Sequence, residues 1–540
     1  MKREVAGSLA PVEASGASEG AWLLPSSAEM AELDAHAIGS GTPALQLMER
    51  AGQAVAQHVS SLLAGERREV LVLCGPGNNG GDGLVAARVL SEAGVPATAL
   101  IAGAGRYSPE CIAQMRRCDP LVSSCPAPQA LLDAGIKVPA LERDRIERLF
   151  GSAAVIVDAL LGTGQRPALA DPIRGLVARL LEERAVRPAV RVVAVDVPTG
   201  VDCDTGRVSN PCVQADRTVA IELIMRGCMQ YPARGFCGEI IAVGVGIPAR
   251  SEVEFRALGG ATLPEFPRRA VDVHKGELGR VLVVGGCASM PGAPTLAALG
   301  ALHAGAGIVL RVTRGSWDRG SVPPECIHVV LGGDGAQLSR GDVAQVLAAA
   351  QEADVVVLGP GLGQGKEAAE FLDGVLQGLK AVGKRVVLDA DALNLLAERG
   401  LGLEGLVAVI TPHPGEAARL LGRAVSAIQG DRFGAVRELA RRYSCTALLK
   451  GAGTIVYGEG AGGVVLRGTP YLATAGSGDV LSGVVGCLLA RCASPYAAAA
   501  LAAHVHACAG ERAAIMSGGP VLASEIARAV SGVIGELERW

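Results

Sequence analysis

Apolar runs that alternate with Gly-rich polar turns dominate the chain and predict an α/β fold. Residues 30–63 repeat apolar positions with a helical period and carry acids on the polar positions. A short apolar run at residues 69–74 leads into the Gly-rich sequence 75–83, after which a helix is predicted from Leu84. Strand, Gly-rich turn and helix in this order are typical of a doubly wound parallel sheet.

Further strands of the first half end in polar residues. Residues 95–102 are predicted as a strand and the Pro-containing residues 105–145 as an irregular excursion. Residues 153–158 and 192–196 are predicted strands that end at Asp158 and Asp196. Because open α/β sheets bind ligands at the carboxyl ends of their strands, these polar ends predict a ligand site. Either Asp alone could instead be a turn cap.

The second half repeats this pattern. Strands are predicted at residues 281–284, 355–358, 385–388 and 409–410, and a helix at residues 295–303. Residues 447–454 supply a Lys and glycines suited to phosphates. Several of these strands run into Gly-rich or acidic turns. The half therefore also predicts an α/β sheet with a ligand site at its strand ends.

One turn of the second half, residues 474–483, carries the most specific chemistry. Gly476 and Gly478 bracket Ser477, Asp479 follows, and an apolar helix is predicted through Leu489. Bare backbone N–H groups at a helix start attract phosphate. A carboxylate there is suited to take a proton from a phosphate acceptor. An ordinary Gly turn with Asp479 as a helix cap is the alternative.

Length and composition limit the remaining possibilities. The 540 residues suffice for two large domains, and a net charge of -4 gives no basic excess for nucleic acid or a membrane surface. The 14 cysteines form no CxxC pair, which favours a reducing, cytoplasmic compartment. No signal peptide or membrane-spanning run is expected. The expected organisation is a flexible tail at 1–24, a domain at 25–250, a linker at 251–268 and a domain at 269–540.

Three motifs of the first half resemble the NAD(P)H-hydrate epimerase domain. They are GPGNNGGDG (75–83), DALLGTG (158–164) and DVPTGVDCDTG (196–206). The resemblance implies a Rossmann-like domain with a catalytic Asp196. Thr199 replaces the usual Ser and keeps the hydroxyl, whereas residues 221–226 lack the usual Thr-Phe and Lys. The resemblance implies a K⁺ site formed by Asn79, Asp158 and Thr199. It implies contacts with the hydrated dinucleotide from Asn78, Asn79, Gly80, Gly81, Asp82, Gly162, Thr163, Gly164, Gln165, Arg166, Pro167, Ala168 and Asp196.

Six motifs of the second half, in order, resemble the NAD(P)H-hydrate dehydratase, which has a ribokinase-like fold. They are HKGELGR (274–280), GPGLG (359–363), DADALN (389–394), TPHPGE (411–416), KGAGT (450–454) and ATAGSGD (473–479). The resemblance implies ADP with Mg²⁺ and a catalytic Asp479. It implies nucleotide contacts from Lys450, Gly451, Ala452, Gly453, Thr454 and Gly478. The implied contacts with the nicotinamide hydrate are Ala293, Gly361, Gly363, His413 and Asp479.

Together the two resemblances imply a bifunctional repair enzyme for NADHX and NADPHX, the hydrated forms of NADH and NADPH. One domain would interconvert the R and S epimers, and the other would dehydrate the S epimer with ADP, releasing AMP and phosphate. The expected assembly is a homo-oligomer, a tetramer. The alternatives are a ribokinase-like small-molecule kinase with a fused dinucleotide-sensing domain, or a first domain that only binds its ligand.

Overall fold

The computed structural model contains two compact units, one ending at Arg256 and the other beginning at Ala257. It describes residues 12–13, 22–103, 106–118, 122–124, 142–165, 168–248, 252–314, 323–332 and 335–539. Arg166, Pro167 and most of the predicted tail lie outside these ranges. Within them, no helix has the length and apolarity needed to cross a membrane, and no cysteine forms a disulfide.

The first unit is an eight-stranded parallel sheet in the order β1-β8-β7-β6-β5-β2-β3-β4. Its central strands are apolar on both faces because helices accompany a parallel sheet on both sides. The strands are β1 (Val12–Glu13), β2 (Val70–Cys74), β3 (Ala97–Ile101), β4 (Val122–Ser124), β5 (Val155–Ala159), β6 (Arg191–Val195), β7 (Arg217–Ile221) and β8 (Glu239–Val243). The helices are α1 (Ser27–Gly39), α2 (Ala44–Leu63), α3 (Asn78–Glu92), α4 (Pro109–Cys118), α5 (Arg143–Ser152) and α6 (Ile173–Val186).

A ten-stranded sheet organises the second unit, in the order β12-β11-β10-β13-β14-β15-β16-β17-β18-β9. Strands from β12 to β16 pair in parallel, and β17 and β18 add antiparallel pairs. The strands are β9 (Phe255–Leu258), β10 (Arg280–Val284), β11 (Ile308–Arg314), β12 (Ile327–Leu331), β13 (Val355–Leu358), β14 (Arg385–Leu388), β15 (Val407–Ile410), β16 (Thr446–Leu449), β17 (Ile455–Gly458) and β18 (Ala461–Val465). The helices are α7 (Gly292–His303), α8 (Val343–Gln351), α9 (Lys366–Ala381), α10 (Asp391–Arg399), α11 (Pro414–Leu421), α12 (Val425–Gly430), α13 (Arg432–Tyr443), α14 (Ser477–Arg491), α15 (Pro495–Ser517) and α16 (Ala523–Leu537).

The two sheets confirm the predicted α/β class, and the predicted elements differ from the structure at five places. Residues 30–63 form two helices because Pro43, with an extended backbone, caps the start of α2. Helix α3 begins at Asn78, not Leu84, since the polar residues of the Gly-rich turn form its first turns. Helix α7 begins at Gly292 and not at residue 295.

The predicted excursion at residues 105–145 is the fourth difference, because it contains α4 and β4. Amphipathic spacing in a short helix is hard to detect beside prolines. Residues 251–268, expected as a linker, include strand β9 and a short 3-10 helix at Gly260–Thr262.

Helices α7 and α14 pack closely against each other at two glycines. A Cβ added to Gly483 would lie 1.8 Å from the Ala297 carbonyl oxygen, and one added to Gly300 would lie 2.2 Å from that of Val480. Only glycine allows two backbones this close. The contact fixes the start of α14, with Asp479 in its first turn, at the carboxyl ends of the strands.

Candidate active sites

In the first unit, three loops meet at the carboxyl ends of β2, β5 and β6. A Cβ added to Gly162, after β5, would lie 3.2 Å from Asp196 Oδ2 and 3.3 Å from the Cβ of Asn79. A Cβ on Gly80 would lie 1.9 Å from the Gly75 carbonyl oxygen, so the first turn of α3 requires glycine there. The structure therefore brings together the three predicted motifs of this unit.

Asp158 and Thr199, two of the predicted K⁺ ligands, are in direct contact. The Thr199 backbone N–H donates to Asp158 Oδ2 at 2.7 Å, and the Thr199 hydroxyl donates to Asp158 Oδ1 at 2.7 Å. Both residues are fully buried. Burial raises the pKa of Asp158 to about 6, and hydrogen bonds from Thr199 and Leu160 limit the rise.

Asn79, the third predicted ligand, has an unsatisfied side chain. Its amide oxygen and nitrogen are both buried and have no hydrogen-bond partner among the residues that the structure describes. A buried amide without partners is costly, which points to a ligand in this loop. Its oxygen and those of Asp158 and Thr199 suit a hard cation. No cluster of three His, Cys, Asp or Glu side chains suited to a metal occurs in the described ranges.

Asp196 directly follows β6 in a strained backbone conformation. Its φ of 65° lies in the left-handed region, which a residue other than glycine seldom adopts and which is frequent at functional sites. Burial raises the pKa of Asp196 to about 7, the charge of Asp34 adds to the rise, and backbone N–H groups of Ile221 and Thr163 oppose it. Asp196 is therefore placed to exchange a proton near neutral pH.

Two further carboxyls lie close enough to act on Asp196 electrostatically. Burial raises the pKa of Asp82 well above its usual range, and the charges of Asp196 and Asp34 add to this effect. The pKa of Asp34 rises to about 6 through burial and the charge of Glu222. In the sequence Asp34 is one of several acids on an amphipathic helix, and no signal separated it from the solvent-facing ones.

Other predicted residues of the first site have varied environments. Gln165 ties two loops together, because its Nε2 donates to the Pro198 carbonyl at 3.1 Å and its Oε1 accepts from the Gly200 N–H at 2.6 Å. Asn78, Gly164 and Ala168 are exposed.

In the divergent segment 221–226, the Glu222 carboxylate accepts hydrogen bonds from the backbone N–H groups of Val245, Gly246 and Ile247. These bonds hold the chain that follows β8.

In the second unit, a lysine and two carboxylates meet at the ends of β14, β15 and β16. Lys450 Nζ donates to Asp389 Oδ1 at 2.8 Å and lies 3.6 Å from Glu416 Oε2. Burial acts to lower the pKa of Lys450, but the charges of Asp389 and Glu416 outweigh it and the pKa rises. The ammonium is therefore charged and held in place.

Asp479 lies beside this cluster. A Cβ on its neighbour Gly478 would lie 3.4 Å from Lys450 Nζ. Burial raises the pKa of Asp479 to about 7, the charge of Asp389 adds to the rise, and Lys450 opposes it. A carboxyl with this pKa, at the N-terminus of α14, is suited to general-base work on a phosphate acceptor.

His413 caps a helix that contributes to the same site. Its Nδ1 accepts from the Gly415 N–H at 2.9 Å, and the Glu416 carboxylate accepts from the His413 N–H at 2.7 Å. Burial and the charges of Lys450 and Arg419 lower the pKa of His413, so the ring is neutral. With Nδ1 accepting, Nε2 carries the proton, and it lies 3.5 Å from Glu416 Oε1.

The glycine turns predicted to contact the substrate are also at this end of the strands. A Cβ on Gly361 would lie 3.0 Å from the Cβ of Ala293, so these two predicted residues are neighbours. The Gly363 N–H donates to Asp391 Oδ2 at 3.0 Å, and Gln364 donates to the same carboxylate. The second carboxyl of the DADALN motif therefore holds the GPGLG turn.

The predicted nucleotide loop 450–454 rests on a buried arginine that the motifs did not indicate. Arg432 is 4% exposed, and its guanidinium donates to the carbonyls of Leu449, Lys450 and Gly453. Gly451 and Gly453 both have positive φ, of 145° and 66°. The bonds from Arg432 therefore hold the backbone of this loop on both sides of Gly451.

Comparison with known proteins finds a family match in each unit. Residues 44–227 match the family described as "YjeF-related protein N-terminus", and residues 281–531 match "NAD(P)H-hydrate dehydratase". A solved ADP/ATP-dependent NAD(P)H-hydrate dehydratase from Bacillus subtilis, co-crystallised with ATP and Mg²⁺, is 26% identical, covers 52% of this chain and 100% of its own, and superposes with a TM-score of 0.43.

Full-length relatives match across both units. The Coxiella burnetii protein named bifunctional NAD(P)H-hydrate repair enzyme Nnr is 37% identical to this chain, over 90% of this chain and 94% of the relative. The Pyrobaculum aerophilum protein of the same name is 37% identical over 94% of this chain and 97% of its own length. The Escherichia coli K12 protein is 36% identical over 87% of this chain and 85% of its own length. The chain therefore belongs to the family of bifunctional NAD(P)H-hydrate repair enzymes.

Proposed function

We propose that the second unit dehydrates the S epimer of NADHX or NADPHX at the expense of ADP, and that the first unit interconverts the R and S epimers. The observation that carries the first part is Asp479, a carboxyl with a pKa of about 7 in the first turn of a helix beside the Lys450 ammonium. Base, cation and helix N-terminus are the three groups that phosphoryl transfer to a hydroxyl needs.

In the dehydration, Asp479 takes the proton of the C6 hydroxyl as the hydroxyl oxygen attacks the β-phosphorus of ADP. The bond between that phosphorus and the AMP oxygen breaks, and AMP leaves. The nitrogen lone pair of the ring then expels phosphate from C6, and loss of a C5 proton restores the C5=C6 double bond. Phosphorylation helps because hydroxide is a poor leaving group. Lys450 and the N–H groups at the start of α14 stabilise the phosphoryl charge.

Mg²⁺ would be held by the ADP phosphates and by the buried carboxylates of Asp389 and Glu416, since Mg²⁺ is usually bound through one or two carboxylates plus phosphates. The donors fit, because both side chains are acidic and lie next to the predicted phosphate loop. Mg²⁺ neutralises phosphate charge when it is bound. Without such a cation, three carboxylates around Lys450 would repel a diphosphate.

In the epimerisation, Asp196 relays a proton to and from the C6 oxygen. C6 is a carbinolamine carbon, which loses its configuration when the C6–O bond breaks to an iminium or the ring opens. A carboxyl with a pKa of about 7 can both give and take that proton at neutral pH. K⁺ would be held by Asn79, Asp158 and Thr199, where it would neutralise Asp158 and hold the loop ends.

The decisive test supplies the full chain with the S epimer of NADHX, ADP and Mg²⁺ and follows absorbance at the reduced-nicotinamide band. NADH is expected to form until the substrate is consumed, with one AMP and one phosphate per NADH. A lasting phosphorylated product without NADH would favour the small-molecule kinase. An ATP arm under the same conditions determines the nucleotide preference.

A further inference from the structure

The first turn of α14 is held by a histidine from another helix. His506, on α15, places its Nε2 3.0 Å from the Ser477 carbonyl oxygen and 3.1 Å from the Ser477 hydroxyl. His506 is 9% exposed and Ser477 is 5% exposed. The contact joins residues 29 positions apart and lies two residues before Asp479.

The chemistry of this contact fixes the state of the ring. A carbonyl oxygen can only accept, so His506 Nε2 carries the proton and donates it to Ser477. Burial lowers the pKa of His506 to about 4, and the charge of Lys450 acts in the same direction. The ring is therefore neutral throughout the range in which Asp479 titrates, and the hydrogen bond is present on both sides of that titration.

Close packing against α7 also places this turn. Gly476, at the start of α14, has a φ of 87°, and a Cβ there would lie 2.3 Å from Leu296 Cδ1. The Ser482 hydroxyl donates to the Asp479 carbonyl at 2.8 Å, within the same helix. His506 is thus the polar side chain from outside α14 that the structure shows bonded to its first residue.

We propose that His506 is a positioning residue of the dehydration reaction, which holds Ser477 and thereby fixes the Asp479 carboxylate against the C6 hydroxyl. The proposal rests on the role of Asp479 proposed above. Because successive residues of a helical turn move together, a shift of Ser477 shifts Asp479 and the N–H groups that face the phosphoryl group. A misplacement of about 1 Å can reduce a rate by about 10²-fold.

The test compares His506→Leu, which fills the space without a donor, with His506→Gln, whose amide N–H can reach the same carbonyl. The full chain is assayed with the S epimer, ADP and Mg²⁺, and kcat, nucleotide KM and the thermal midpoint are measured. His506→Leu is expected to lower kcat by roughly 10- to 100-fold with little change in nucleotide KM. His506→Gln is expected to stay close to wild type.

The matched control is His504→Leu. His504 is buried on the same helix, at 8% exposed, and its Nε2 lies 3.4 Å from Cys508 Sγ. His504→Leu is expected to leave kcat unchanged even if it lowers the thermal midpoint. A His506→Leu chain with wild-type kcat, or a Gln variant no better than the Leu variant, would overturn the proposal.

A second pair keeps the test valid if His506→Leu does not fold. His506→Asn carries the same amide as His506→Gln but is one methylene shorter, so it should not reach Ser477. Equal kcat values for Gln and Asn would contradict positioning. Asp479→Asn is run in parallel. If it remains active, the role of Asp479 is wrong, whereas an inactive Asp479→Asn beside an active His506→Leu removes only the inference about His506.

Discussion

Lys450 donates a hydrogen bond to Asp389 at 2.8 Å although the carboxylate is only 1% exposed. Glu416, 3.6 Å from the same ammonium, is 5% exposed. Two buried carboxyls share one cation, and burial raises the pKa of Glu416. Removing one partner of a buried pair leaves an uncompensated charge, which is far more costly than the pair is stabilising.

Lys450→Ala should therefore have two effects. It should lower the free energy of unfolding by about 3 kcal/mol, because Asp389 and Glu416 lose their cation. It should also raise the Kd for ADP, because a phosphate contact is lost. Urea unfolding and calorimetric titration measure the two effects. The double variant Lys450→Ala with Asp389→Asn should recover stability but not affinity, and an unchanged ADP Kd in the single variant would refute the phosphate role.

Asp479→Asn should remove most of the dehydratase activity while ADP still binds. The amide keeps the size of the side chain but is no base, and loss of a general base costs about 10²–10⁴-fold in kcat. The measurement is NADH formation from the S epimer, with ADP binding followed by calorimetry. Glu398→Gln, an exposed acid on α10, serves as control. If Asp479→Asn keeps near-normal kcat, Asp479 is only a helix cap.

The pH dependence of dehydration should reflect the pKa of Asp479. Because this pKa is raised to about 7, the base is protonated below that pH, and kcat should rise with pH and level off above it. A raised carboxyl pKa favours the folded state at low pH, and this stability is lost as pH rises through about 7. Asp479→Asn should therefore be stabilised relative to wild type more strongly at about pH 8 than at about pH 5. A kcat independent of pH between these values would argue against Asp479 as the base.

Asp196→Ala should separate the two activities in one assay. With a mixture of R and S epimers, the wild-type chain should convert all substrate to NADH in one phase. The variant should stop once the S epimer is consumed, because R is then left to its slow uncatalysed conversion. The time course of NADH formation gives the result, and pure S epimer is the control. A variant that shows no stall would mean that Asp196 is not the relay, or that the first unit only binds its ligand.

K⁺ should stabilise the first unit through Asn79. Adding K⁺ to a chain prepared in a bulky organic cation should raise its thermal midpoint, since a ligand that binds only the folded state stabilises it. Asn79→Ala should abolish that rise and reduce epimerisation, while dehydration of the S epimer continues. Asn78→Ala, at the exposed neighbouring position, is the control for the K⁺-dependent thermal midpoint alone, because Asn78 is itself a predicted substrate contact. A K⁺-dependent rise that persists in Asn79→Ala would contradict this assignment.

The sequence by itself determined the fold class and the positions of the motifs at both candidate sites. Buried parallel strands need continuous apolar runs, and Gly-rich turns need glycine where backbones approach, so both leave marks in the linear order. The motif containing Asp479 and those containing Asn79, Asp158 and Asp196 could be located for this reason. The predicted boundaries of α2, α3 and the excursion at 105–145 were less accurate, because caps and prolines decide within a single turn where a helix begins or ends.

Only the tertiary structure decided which side chains support those motifs. Asp34 acts on Asp196 from a helix at the start of the chain, Arg432 holds the nucleotide loop, and His506 holds Ser477. Each is an isolated residue in an ordinary helix, and its role depends on contact with residues distant in sequence. The pKa values of Asp196 and Asp479 likewise follow from burial and neighbouring charge, which arise only when strands far apart in sequence end at one edge of a sheet.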